Sequence, residues 1–67
     1  MPDARPASPA PTDIRAARAA AGLTQTQAAV LIHSTLRAWQ EWEAGNRQMH
    51  PGLWELFLLK LKPPHSL

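Results

Sequence analysis

The sequence predicts a small, entirely α-helical domain of four short helices, and three observations lead to this prediction. Gly22 and Gly45 stand where a left-handed residue can end a helix. Thr24 is followed three residues later by Gln27, which is the capping-box pattern of a helix start. Around these signals the apolar residues recur at helical spacing, so that each predicted helix has an apolar face.

Length and composition limit what the chain can be. Its 67 residues allow one domain with a small core, which is marginally stable alone. The absence of cysteine excludes a disulfide framework or a thiolate metal site, so oligomerisation is the remaining source of stability. A formal net charge of +2 slightly favours a nucleic-acid partner, provided that the cations share one face. We find no apolar run of membrane-spanning length and no signal peptide, so we expect a cytoplasmic protein.

The proline distribution divides the chain into three parts. Residues 1–11 contain four of the seven prolines and few apolar side chains, which predicts a disordered or polyproline-like arm. Residues 12–62 carry the predicted helices and form the folded domain. Pro63 and Pro64 end the last helix, so residues 63–67 should fray.

The first predicted helix begins with Thr12 as N-cap and with Asp13 at its positive end. Arg18 lies on or beside the apolar stripe of this helix, where a charge needs a partner. The second helix runs from Gln25 to Ile32. Ser34 or Thr35 then caps the third helix, Leu36–Ala44.

The spacing within the third helix separates its side chains into two sets. Trp39 and Trp42 lie three residues apart and should both face the core. The remaining residues are left for the outside: Arg37, Ala38, Gln40, Glu41 and Ala44.

The fourth predicted helix, from Gly52 to about Lys62, has Pro51 in its first turn and is apolar nearly all round. Seven large apolar side chains exceed what one small domain can cover, so the helix should be buried on two sides. One part should pack on the other helices: Leu53, Trp54 and Phe57. The rest should meet a second copy of the chain: Leu58, Leu61 and a share of Leu59 or Trp54.

Four linked motifs fall in one register between Ile14 and Arg47: Ile14-Arg15-x-Ala17-Arg18, Gly22-Leu23-Thr24-Gln25, Ala28-Ala29 and Trp42-Glu43-x-Gly45. At these residues the chain resembles the lambda-repressor-like (Cro-type) helix-turn-helix regulators. It departs from the family at the turn, where His33 and Ser34 replace a glycine and an aliphatic residue. The tryptophan pair, with Met49-His50-Pro51 and Trp54, is similar to small phage regulators, including those encoded beside anti-CRISPR genes.

The resemblance implies a homodimeric, sequence-specific repressor of its own operon that binds double-stranded DNA at a palindromic operator. The third helix would enter the major groove and the second would cross the backbone. It also implies an ion pair between Arg18 and Glu43. Side chains suited to base edges are Thr35, Arg37, Gln40 and Glu41. Side chains expected on phosphates are Gln25, Asn46, Arg47 and Gln48.

Several alternatives follow from the same residues. Arg5 of the arm could touch DNA, although the composition favours a solvated tail. The apolar fourth helix could bind a different protein chain, as in an antitoxin or an interaction module. RNA binding is disfavoured because the tryptophans lie on the core face and not where bases would stack.

We expect no enzyme activity, because no nucleophile–base set or glycine-rich phosphate loop is present. The histidines, at positions 33, 50 and 65, have no metal-binding spacing, so no metal is expected. No cofactor, small-molecule substrate or membrane partner is expected either.

Overall fold

The computed structural model describes residues 7–62, and these form four α-helices with no β-strand. The helices are α1 (Pro11–Ala20), α2 (Gln25–Leu31), α3 (Leu36–Ala44) and α4 (Pro51–Lys60). The prediction of a small four-helix, all-α domain is therefore confirmed. Most of the predicted arm and the whole predicted tail lie outside the described residues. None of these four helices has the length and hydropathy needed to cross a membrane.

Side-chain caps begin three of the helices. Thr24 accepts a hydrogen bond from the backbone N–H of Gln27 at 3.1 Å, and the Gln27 side chain accepts one from the N–H of Thr24 at 2.9 Å, so the predicted capping box is present. Thr35 caps α3 by accepting from the third residue of that helix at 3.1 Å. His50 caps α4 through Nδ1, which accepts from the second helical N–H at 2.8 Å.

The start of α1 differs from the sequence prediction. Thr12 is not the N-cap, because Pro11 is already the first helical residue and Ala10 is the cap. A proline suits this position because the first N–H of a helix has no intrahelical partner. The carboxylate of Asp13 accepts from the backbone N–H of Ala10 at 3.3 Å and so replaces the missing side-chain cap. The predicted arm therefore ends earlier, and residues 8 and 9 are half-buried.

The α2 and α4 helices also end earlier than the sequence predicts, at Leu31 and Lys60. Ile32 and Leu61 cap these helices and are not part of them. Differences of one or two residues are usual where a last turn loosens.

The connection between α2 and α3 is a tight turn in which His33 adopts a left-handed conformation, with φ +61°. The N–H of Ser34 donates to the carbonyl of Ala29 at 2.8 Å, and the N–H of His33 donates to that of Val30 at 3.0 Å. These two bonds form a Schellman motif, which usually has glycine at the left-handed position. Gly22, with φ +72°, has that role after α1. His33 therefore adopts the left-handed geometry that glycine usually has in this motif.

Trp39 lies at the centre of the core and is fully buried. Its ring meets Trp42 edge-on at a centroid distance of 5.8 Å and Phe57 at 5.0 Å. The prediction that both α3 tryptophans face the core is thus confirmed. The helices pack as α3 on α1 and α2, with α2 also against α4. The other buried apolar residues are Ile14, Ala28, Ala29, Ile32 and Met49.

Candidate nucleic-acid interface

The outer face of α3 presents a polar stripe to solvent. Arg37 and Gln40 are exposed, and Glu41 is half-buried beside them. Three- and four-residue spacings place these side chains on one side of the helix. Thr35 is exposed at the start of the same helix. The structure therefore places three of the residues predicted to contact bases on α3 and the fourth, Thr35, at its N-cap, while the opposite face of the helix packs in the core.

Two of the predicted DNA contacts bind each other in this structure. The amide nitrogen of Asn46 donates to the carboxylate of Glu41 at 2.8 Å, on the exposed surface. This bond holds the loop after α3 against the helix. By contrast, no hydrogen bond joins the side chain of Arg37 or Gln40 to another residue within 7–62, and both side chains are exposed.

The loop after α3 lies against the start of α1. Gly45 ends α3 with φ +83°, and a Cβ at this position would come within 3.5 Å of the ring of Pro11. Arg47 and Gln48 follow in the loop and are both exposed. They border a cleft of about 330 Å³. The remaining lining residues are Ser8, Pro9, Ala10, Pro11, Trp42 and Gly45.

A buried carboxylate joins the first three helices. Glu43 on α3 is 5% exposed and receives two hydrogen bonds from Arg18 on α1, at 2.6 Å from Nε and 3.2 Å from Nη2. The indole N–H of Trp39 donates to the same carboxylate. Gln25 on α2 donates to it at 3.1 Å, while Arg18 also donates to the carbonyl of Leu23 at 3.0 Å. The predicted pair of Arg18 and Glu43 is thus the centre of a larger network.

The electrostatics of this network favour the charged forms. Burial alone raises the pKa of the Glu43 carboxyl, but the hydrogen bonds from Arg18, Trp39 and Gln25 outweigh it and lower the pKa overall. The hydrogen bond with Glu43 raises the pKa of Arg18, although desolvation by burial acts to lower it. The pair therefore stays ionised at neutral pH.

Gln25, which the family resemblance places on a phosphate, does not face outward at the start of α2. It is half-buried, and its amide turns toward Glu43. Local sequence could not reveal this contact because the two residues lie 18 positions apart. A phosphate contact by Gln25 stays a prediction, and any such contact would have to come from the part of the amide that Glu43 does not hold.

Arg15, which received no role from the sequence, belongs to the same network. Its Nη2 donates to the backbone carbonyl of Glu43 at 3.3 Å, and its Nε lies 3.8 Å from Oε1 of that residue. The only available signal was helical spacing, because Arg15 and Arg18 lie three residues apart on α1.

The predicted dimer residues divide into two pairs. Trp54 and Leu61 are half-buried and pack against the core, while Leu58 and Leu59 are 39% and 53% exposed. Phe57 is buried and Leu53 packs against the core, as predicted. The α4 helix therefore exposes fewer large apolar side chains than the sequence predicts.

Comparison with known proteins shows a partial similarity to a Type II methyltransferase. No family model matches the chain. A 52-residue stretch, 78% of the chain, is 36% identical to part of the Type II methyltransferase M.MspI from Moraxella sp.. This stretch amounts to 12% of that relative, so the chain is similar to a small segment of a much longer protein.

Proposed function

We propose that this chain is a sequence-specific DNA-binding repressor that reads the major groove with α3. One observation supports this function above all: α3 exposes Arg37 and Gln40 to solvent while Trp39 and Glu43 on its other face are buried. A rigid helix with unengaged polar side chains is what direct readout of bases requires.

The chemistry of the outer face suggests how bases would be read. Arg37 suits the two acceptors of guanine, and Gln40 suits the donor and acceptor of adenine. Glu41 could accept from the amino group of cytosine if its bond to Asn46 opens on binding. Phosphate contacts by Arg47 and its neighbours would fix the helix in the groove without selecting the sequence.

We propose that two copies bind a palindromic operator. Leu58 and Leu59 form the exposed apolar part of α4, and Trp54 and Leu61 border it. A two-fold interface uses each of these residues twice. It would place two copies of α3 in successive major grooves, about 34 Å apart.

A second candidate function is supported by exposed apolar side chains on two helices. Val30 on α2 is 65% exposed and Leu59 on α4 is 53% exposed. Two helices therefore present apolar side chains to solvent, which also suits a different protein partner, as in an antitoxin or an interaction module. Sedimentation of the purified chain distinguishes the two cases, because only the repressor hypothesis requires a homodimer.

We also propose that the chain itself is not an enzyme. The similarity to M.MspI covers 12% of that methyltransferase and does not carry its activity to this chain. Incubating the chain with duplex DNA and a labelled methyl donor tests this point, and methyl transfer to the DNA would contradict it.

We propose further that the chain is a cytoplasmic regulator, of the phage or anti-CRISPR kind, that represses its own operon. The experiment that tests the proposed function is therefore footprinting on the DNA upstream of the chain's own gene. We expect two protected half-sites whose centres lie about one helical turn, 34 Å, apart. Uniform weak protection of all sequences, with a folded protein, would contradict sequence-specific binding.

A further inference from the structure

We infer that Arg15 is an additional phosphate-binding residue, and this inference rests on the proposed DNA-binding function. The side chain of Arg15 is 59% exposed although it contacts Glu43. Its guanidinium therefore lies at the surface of a network whose acceptor is buried, where a phosphate oxygen can reach it.

The charge of Glu43 is already balanced without Arg15. Arg18 is 20% exposed and engages both oxygens of the carboxylate at 2.6 and 3.2 Å. Arg15 approaches the carboxylate only to 3.8 Å, and its hydrogen bond goes to the backbone carbonyl. Two guanidinium groups and one carboxylate leave a surplus positive charge, and Arg15 is the more exposed of the two cations.

Arg15 lies between the two groups of residues expected to contact phosphates. Four residues before it on α1 is Pro11, which lines the same cleft as Gly45 at the end of α3 and Arg47 in the following loop. Residues four apart on a helix are neighbours on one face. On its other side, Arg15 and Gln25 both lie within 4 Å of the same oxygen of Glu43. Arg15 thus connects the loop after α3 with the start of α2.

A purely structural role makes a different prediction. Arg15 could serve only to hydrogen-bond the last turn of α3 through the carbonyl of Glu43. Arg15→Gln retains a side-chain donor and removes the charge, while Arg15→Lys retains the charge. If the role is structural, Arg15→Gln lowers Tm and leaves the salt dependence of DNA binding unchanged. If Arg15 contacts a phosphate, Arg15→Gln weakens that salt dependence.

The experiment is fluorescence anisotropy of the full chain with a short labelled duplex of random sequence, between about 50 and 200 mM salt. For Arg15→Gln we expect the slope of log K against log salt to become shallower by about 0.9. If the two proteins bind equally at 1 M salt, this change in slope corresponds to an affinity about eightfold lower for the variant at 0.1 M salt. Arg15→Lys should restore most of the slope.

The matched control is Lys60→Gln, which removes the same charge from an exposed position in the last turn of α4. We expect it to leave the slope unchanged. The inference is overturned if Arg15→Gln retains the wild-type slope, or if Lys60→Gln lowers it equally, since the effect would then be net charge. A wild type that binds no DNA would refute the proposed function itself, which distinguishes the two failures.

Discussion

Replacing Glu43 by alanine should destabilise the fold strongly, because three helices share its carboxylate. The side chain is 5% exposed and accepts hydrogen bonds from Arg18, Gln25 and the indole of Trp39. Its removal would leave the guanidinium without its partner and the buried indole N–H without an acceptor. Each of these consequences has a known order of magnitude.

Removing one member of a buried ion pair costs roughly 3–5 kcal/mol, and a buried unsatisfied donor costs about 1–3 kcal/mol. These values overlap, because they count the same lost acceptor. Arg18 is 20% exposed and can regain part of its hydration, which moves the result to the lower end. We therefore expect a loss of about 3 kcal/mol in the free energy of unfolding.

The assay is thermal and urea unfolding followed by circular dichroism. A loss of about 3 kcal/mol should lower Tm by roughly 12–24 °C in a domain of this size. Glu55→Ala is the matched control, because Glu55 is an exposed helical glutamate, and its effect should stay within about 0.5 kcal/mol. Equal melting of the two variants would refute the reasoning.

A double-mutant cycle separates the ion pair from the rest of the network. We would combine Arg18→Gln with Glu43→Gln and compare the pair with the two single variants. A coupling energy above about 1 kcal/mol is expected for residues in direct contact within one network. Additive effects would assign the stability to the Trp39 and Gln25 bonds alone.

Four further predictions concern binding, assembly, the turn and pH. Arg37→Ala should weaken operator binding by about 1–3 kcal/mol, whereas Arg47→Ala should weaken all sequences alike, as measured by parallel titrations of operator and random duplex. Leu58→Glu should abolish the dimer in sedimentation and operator binding in gel shift while the circular dichroism stays helical; a dimeric variant would place the interface elsewhere. His33→Gly should raise the stability by about 0.5–1 kcal/mol in urea unfolding, because glycine relieves the left-handed strain. The lowered pKa of Glu43 adds stability that is present above about pH 4.3, the unfolded value, and is lost as the pH falls through the folded pKa. As the pH is lowered, the Tm of Glu43→Gln should therefore fall less than the Tm of the wild type.

Local chemistry made much of the fold predictable from sequence. The starts of α2 and α3 follow from Thr24 and Thr35, whose hydroxyls cap the next helix, and the end of α3 follows from Gly45. The start of α1 was missed because no side-chain cap precedes Pro11, and Asp13 supplies the bond from inside the helix. The cap on α4 by His50 was missed as well, since an imidazole in this role has no distinctive sequence pattern.

The candidate site was predictable only where it depends on one helix. The outward residues of α3 follow from helical spacing alone. Contacts between elements were not predictable from spacing: the inward turn of Gln25 and the approach of Arg15 to Glu43 depend on how three helices cross. The pair of Arg18 and Glu43 was available only through the family resemblance.

The central claim, sequence-specific readout by α3, is tested most directly by selecting bound duplexes from a random library. The wild type should enrich a palindromic motif with half-sites about 34 Å apart. Arg37→Ala should enrich the same motif with the preference lost at one position of each half-site. If the folded wild type enriches no motif, or if Arg37→Ala enriches an unchanged one, α3 does not read the DNA sequence in the way proposed.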